Sequence, residues 1–241
     1  MDNLKKLNGL NVVFAMIFLM FFVSGAGFAS DQRWGVGVGA KLQIAEWKGE
    51  NKASNNSFDS DIVQIRFDLL AKKGRFYAGM SLQSQKYEFD EGPEKVGKDY
   101  RERSQNIEIR KSEIDFVLGY YVWKYVSLYA AIKHIENKWE DENYTLKHKG
   151  GGVGVAGFMP VTDVWSVYAS IGFVSLDLET QGTAVGEAAG TAIEFGGVYA
   201  LSKKSSLTLG IKGQRYDYKF DEGSRQAHEI NGMVVGLTYV Y

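Results

Sequence analysis

The chain has 241 residues, a formal net charge of −1 and 45% hydrophobic residues, a balance that excludes a disordered chain and does not suggest a nucleic-acid-binding protein. It contains no cysteine, which excludes disulfides and thiolate metal sites. Its 28 glycines, 2 prolines and 14% aromatic residues fit many closely packed strands and turns better than a soluble enzyme.

The first 29 residues have the order of a secretory signal peptide. Lys5 and Lys6 form a positive start, an unbroken apolar run covers 12–23, and small residues stand at Gly27 and Ala29. The run is shorter than the ~20 apolar residues that a membrane-spanning helix needs. We therefore predict that 1–29 is removed before Ser30 and that 30–241 is the mature domain.

The mature chain alternates between apolar and polar or small residues. This period of two predicts β-strands with two different faces; in 61–71, Val63 and Phe67 share one face and Arg66 and Asp68 the other. The predicted strands are 33–45, 61–71, 75–87, 106–122, 125–137, 144–159, 164–177, 189–201, 206–218 and 227–241. Ten strands are therefore expected, or eight if the weak sixth and eighth segments are loops.

The connections between these segments alternate in length. Long loops are predicted at 46–60, 88–105, 138–143, 178–188 and 219–226, and the other connections are short turns. Such an asymmetry is typical of outer-membrane barrels, whose short turns face the periplasm and whose longer loops face outward. We expect a closed antiparallel transmembrane β-barrel, in which no backbone amide in lipid lacks a partner.

The two faces differ in a way that fits lipid outside the barrel. A soluble barrel has an apolar interior and a polar exterior, whereas here the less apolar face carries the charges. Ionic groups in a narrow lumen must pair or be hydrated, so we predict a charge-paired and largely filled lumen. The residues of this predicted network are Lys41, Arg66, Asp68, Lys111, Glu113, Asp115, Lys133, Glu194 and Lys212.

The last strand ends on an aromatic residue, Tyr241, with Tyr239, Leu237 and Val235 on the same face. With the signal peptide, the alternating strands and the loop asymmetry, it resembles the small bacterial outer-membrane β-barrel proteins, a group that includes OmpA-type transmembrane domains and opacity-like proteins. Aromatic residues expected at the membrane interfaces are Trp34, Tyr120, Trp165, Tyr199, Tyr239 and Tyr241.

The resemblance implies a structural or surface-interaction role in the outer membrane of a Gram-negative bacterium. It implies contact with membrane lipid and lipopolysaccharide, recognition of the C-terminal strand by the barrel-assembly machinery, and an extracellular ligand at the long loops. It supplies no catalytic residue and no cofactor. The expectation is therefore that the chain is not an enzyme.

Two other functions stay open from the residues. A polar lumen could form a small porin-like channel, and a rim that brings acids and a histidine together could activate water, as ten-stranded proteases of the omptin family do. Their Asp-x-His pattern does not occur, and the nearest element is His228-Glu229. The glycine motif from Gly152 to Gly157 is not expected to bind a nucleotide, because it lies in an alternating strand before Pro160.

Overall fold

The computed structural model describes residues 34–51, 56–89, 107–139 and 144–241, and these residues form ten antiparallel strands. Each strand pairs with its sequence neighbours, and the first pairs with the last, which closes the sheet into a barrel. The strands are β1 (Trp34–Asn51), β2 (Asn56–Lys73), β3 (Phe76–Phe89), β4 (Ile107–Trp123), β5 (Val126–Trp139), β6 (Tyr144–Pro160), β7 (Trp165–Thr180), β8 (Thr183–Ala200), β9 (Ser205–Phe220) and β10 (Arg225–Val240).

The prediction of a closed ten-stranded barrel is confirmed, including the sixth and eighth strands. Closure joins β1 to β10 in a register that sets Ala40 opposite Leu237 and Ile44 opposite Met233. The predicted signal peptide, 1–29, lies outside the described residues. Within the described ranges, no helix has the length and apolarity that a membrane span requires.

An apolar band covers the outside of the barrel, because every strand turns its apolar face away from the lumen. Val63, Phe67, Phe116, Ile132 and Ile211 are each more than half exposed, which is the opposite of a globular core. Exposed apolar surface on this scale marks contact with another apolar phase. The alternation therefore has the orientation expected of a barrel in lipid.

The two ends of the barrel differ. We call the end with the connections 74–75, 124–125, 161–164 and 201–204 the turn end, and the opposite end the loop end. Near the loop end the outer wall becomes polar and carries cross-strand ion pairs such as Lys149 with Glu179 at 2.7 Å and Lys219 with Glu187 at 2.9 Å. The strands thus continue beyond the apolar band with the polarity of a water-soluble barrel.

This continuation corrects the predicted loops. Most of the predicted 46–60 loop is strand, since β1 reaches Asn51 and β2 begins at Asn56. The predicted loop at 178–188 is wrong, because β7 runs to Thr180 and β8 begins at Thr183. Of the predicted loop 88–105, Glu88 and Phe89 belong to β3, and the rest lies outside the described residues.

The β7–β8 connection is a two-residue turn. Gln181 and Gly182 both have positive φ, 49° and 81°, which is the requirement of a type I′ hairpin turn. Glycine adopts this conformation at no steric cost. A tight hairpin therefore stands where the glycine- and alanine-rich sequence predicted a long loop.

Tyrosine rings in the lumen lie over glycines on neighbouring strands. A Cβ atom added to Gly154 would lie 2.2 Å from the ring of Tyr129, and one added to Gly119 would lie 2.0 Å from the ring of Tyr77. No side chain can share that space with the ring. These pairs explain why glycine interrupts β4 and β6 at inward positions.

Replacing Gly154 by alanine is expected to destabilise the barrel by about 1–3 kcal/mol, the usual cost of overpacking. Gly157→Ala on the same strand is the matched control, because its added Cβ would lie 3.8 Å from the carbonyl oxygen of Tyr125, an ordinary van der Waals contact. Urea unfolding in lipid vesicles, followed by tryptophan fluorescence, measures both. Equal effects of the two substitutions would contradict the proposed steric conflict.

Candidate functional site in the barrel lumen

The lumen contains a layer of charged side chains, which we call the charge belt. Its members face inward from six strands, and each is at most 9% exposed. The belt consists of Lys41, Arg66, Asp68, Lys111, Glu113, Asp115, Lys133, Glu194 and Lys212. Each of the residues that the sequence predicted for the lumen is thus on the inner face.

One part of the charge belt is centred on Asp68. The Nε atom of Arg66 donates to Asp68 Oδ1 at 2.7 Å, and Lys41 Nζ lies 3.4 Å from Asp68 Oδ2. Arg66 and Asp68 stand two residues apart on β2, so strand alternation places both inside. Lys41 comes from the adjacent β1, where it stands opposite Arg66 in register.

A second part is centred on Glu113. Lys111 Nζ lies 3.1 Å from Glu113 Oε2, and Lys133 Nζ contacts Glu113 Oε1. Lys133 also donates to Asp115 Oδ2 at 3.1 Å. Because Asp115 and Lys133 are register partners on β4 and β5, the sheet itself holds these opposite charges together.

The remaining carboxylate and ammonium lie on the other side of the barrel. Glu194 on β8 stands opposite Lys212 on β9, and its Oε1 accepts a hydrogen bond from Tyr168 Oη at 2.9 Å. Burial of ionic groups is tolerated when opposite charges and hydrogen bonds compensate for lost hydration. The belt as a whole therefore fills the lumen with mutually dependent charges.

Tyrosines fill the lumen on the turn-end side of the belt. Tyr77 Oη lies 3.2 Å from Ser127 Oγ, and Tyr129 Oη donates to the carbonyl of Ile171 at 3.4 Å. Buried Val117 and Val198 pack in the same layer. These tyrosines therefore fill the space between the belt and the turn end.

A layer of aromatic and histidine rings lies on the loop-end side. Trp47 is 4.5 Å from Tyr87 and 5.6 Å from His228, measured between ring centroids. Tyr218 is 4.4 Å from His228 and 5.6 Å from His148. These five rings, which we call the ring layer, come from β1, β3, β6, β9 and β10, so they cross the lumen from one wall to another.

The sequence did not lead to a prediction of the ring layer. Trp47 stood in a predicted loop, although it continues the inward phase of Lys41 and Gln43. Lys111 Nζ lies 5.9 Å from the centroid of the Trp47 ring, a cation–π contact that joins the ring layer to the charge belt. Continuing the alternation of β1 two residues beyond its predicted end at 45 would have placed Trp47 in the lumen.

The candidate acid–histidine element does not come together. His228 points into the lumen, where its Nε2 lies 3.1 Å from Gln226 Oε1. Glu229 points outward and accepts from Arg215 Nη1 at 3.1 Å. Adjacent residues on a strand face opposite sides, which explains the separation. In the described ranges, no three His, Asp or Glu side chains form a group that could hold a metal.

Aromatic side chains surround the outer wall near the turn end. The six predicted interface residues all face outward there, with Trp165 packed on Tyr199 and Tyr239 on Tyr241, each pair with ring centroids 5.0 Å apart. Phe76 and Trp123, 66% and 72% exposed, belong to the same row and were not predicted. An aromatic girdle at the edge of an apolar band is typical of transmembrane barrels.

Comparison with known proteins gives a likeness of fold. No protein-family model matches the chain, and no curated protein sequence matches it. The outer membrane protease OmpT from Escherichia coli superimposes with a TM-score of 0.56 and 7% identity, over 86% of this chain and 97% of that chain. An outer membrane channel from Pseudomonas putida F1 gives a TM-score of 0.48 and 10% identity, over 91% and 100% of the two chains.

The expectation that the chain is not an enzyme does not stand. It rested on a resemblance to barrels without catalytic residues, and the protein that shares this fold at a TM-score of 0.56 is a protease. At 7% identity the likeness shows the fold alone, and fold does not determine activity. What the barrel, its outward apolar band and the comparison establish together is a fold of the outer-membrane β-barrel class.

Proposed function

We propose that the chain is a structural or surface-interaction barrel of a Gram-negative outer membrane whose lumen is sealed by its own side chains. The observation that carries the proposal is the burial of the charge belt, in which Lys133 and Glu194 are each 1% exposed. Burial to this degree supports a lumen without a continuous path for water among the described residues. Barrels of about eight strands have interiors just wide enough for side chains or one small ligand, and the diameter grows with strand number.

The two flanking layers support the same function. Tyrosines on the turn-end side and the ring layer on the loop-end side enclose the belt between aromatic surfaces. The outer wall near the loop end offers alternating charges, such as Arg215 with Glu229 and Lys149 with Glu179, for contact with the surroundings. This exposed wall, rather than the lumen, is where we place an interaction partner.

The same proposal covers location and partners. The chain is exported by a signal peptide cleaved after residue 29, its apolar band contacts outer-membrane lipid and lipopolysaccharide, and its C-terminal strand is recognised by the assembly machinery. An extracellular ligand would bind at the loop end. In these respects we place the chain with the small barrels of the OmpA-type and opacity-like group.

Conductance across a planar lipid bilayer tests the sealed lumen. We expect the inserted wild-type barrel to leave the current at the baseline, because the charge belt blocks ions. A steady current whose ion selectivity changes in Lys133→Glu, but not in the outward-facing control Lys138→Glu, would contradict the proposal and favour the small channel instead.

A further inference from the structure

Lys212 differs from the other cations of the charge belt. Each of the other four has a carboxylate oxygen within 3.4 Å: Lys41 and Arg66 at Asp68, Lys111 at Glu113, and Lys133 at Asp115. Lys212 is 4% exposed, yet no described carboxylate oxygen lies within the 4.0 Å that defines an ion pair. Its register partner Glu194 accepts a hydrogen bond from Tyr168.

The charge of the belt does not balance. Its nine residues comprise five cations and four carboxylates, which leaves one positive charge without compensation. An isolated charge in a dry interior is costly, so such a group is paired, hydrated or neutralised by a change of protonation. The layers of rings and tyrosines on both sides keep bulk water away, so with Lys212 protonated the described lumen residues supply one negative charge too few.

A second buried donor lies close to Lys212 in the sheet. Gln43 is 6% exposed, and its Nε2 has no acceptor among the described residues. Lys212 stands opposite Gly232 of β10, and Gln43 stands opposite Val234 of the same strand, so the two residues flank β10 one inward step apart. Between them, Gly232 has no side chain to act as an acceptor.

We propose that the lumen binds one small inorganic anion of the halide class beside Lys212 and Gln43. The anion supplies the fifth negative charge of the belt and accepts hydrogen bonds from the ammonium and the amide. It is small because the side chains around it are almost completely buried. The inference rests on the sealed lumen proposed above, which the conductance measurement tests separately.

Unfolding of the whole barrel in lipid vesicles tests this site, with sodium chloride compared against sodium gluconate at equal ionic strength. A ligand that binds only the folded state raises stability with its concentration, so the wild-type midpoint should be about 5 °C higher at saturating chloride. In Lys212→Met, which leaves four cations and four carboxylates, the difference should vanish. In the exposed control Lys149→Met it should remain.

Crystals of the wild-type barrel grown in sodium bromide give a second readout that does not depend on any variant. An anomalous bromide peak within hydrogen-bond distance of Lys212 Nζ is expected. The proposal is overturned if the barrel is sealed but shows no such peak and equal midpoints in the two salts. It is also overturned if the chloride effect persists in Lys212→Met. A conducting barrel would instead overturn the sealed lumen.

Discussion

Replacing Glu113 by glutamine is expected to destabilise the barrel by about 3–5 kcal/mol, the cost of breaking a buried ion pair from one side. Glu113 contacts both Lys111, at 3.1 Å, and Lys133, and it also accepts from Gln83 Nε2 at 3.5 Å. Glutamine keeps the shape but not the charge. Two ammonium groups then lose a shared counter-charge in a layer where their side chains are almost completely buried.

The matched control is Glu229→Gln, which removes the same charge from the outer wall. Glu229 pairs with Arg215 at 3.1 Å, and the two side chains are 45% and 53% exposed, so water replaces the lost partner and little change is expected. Urea unfolding in vesicles compares both variants with the wild type. If Glu113→Gln were as mild as its control, the charge belt would have to be hydrated.

The middle of each strand could be predicted from sequence because one physical rule operates there. Lipid requires apolar side chains outside, and the filled lumen of this barrel accepts ionic ones, so residues such as Asp115 and Phe116 separate cleanly by alternation. The strand count, the inner face and all nine members of the charge belt follow from that single rule.

The loop-end parts of the strands could not be predicted in the same way. Beyond the apolar band, water replaces lipid, so Leu176 and Leu178 are buried inside while Asp177 faces out. The residues still alternate, but the apolar side chains now face inward and the polar ones outward. A prediction that requires apolar residues on the outer face therefore assigns no strand there. Small residues such as Gly186 and Ala188 on the facing strand strengthened the impression of a loop.

The individual partners within the lumen also lay beyond the sequence. Alternation places Lys41, Arg66 and Asp68 inside, but the register between β1 and β2 decides that Lys41 stands opposite Arg66 and reaches Asp68. The contact of His148 on β6 with Tyr218 on β9 crosses the barrel, and no local pattern encodes it. Such contacts depend on how the barrel closes. The sequence predicts which strands pair on closure, but not the distances between side chains across the lumen.

Replacing Phe116 by arginine should cost about 2–4 kcal/mol, the price of a cation near the middle of the lipid-facing wall. Phe116 is 51% exposed and stands between Met80 and Ile132 on the neighbouring strands. An arginine there has no carboxylate within the apolar band. Ile171→Arg, between Val155 and Ile193, should behave alike on the opposite wall.

The matched control is Ser112→Arg, on the same strand and the same outer face, but four residues closer to the loop end. Ser112 lies where the outer wall is polar, opposite Ser84 and Glu136, so arginine is expected to be tolerated there. Unfolding in vesicles should therefore separate Phe116→Arg from Ser112→Arg, and detergent should narrow the difference because its apolar layer adapts to the charge. Equal stability of the two variants in lipid would mean that the apolar band does not contact hydrocarbon, and that the orientation of the whole barrel wall has been assigned wrongly.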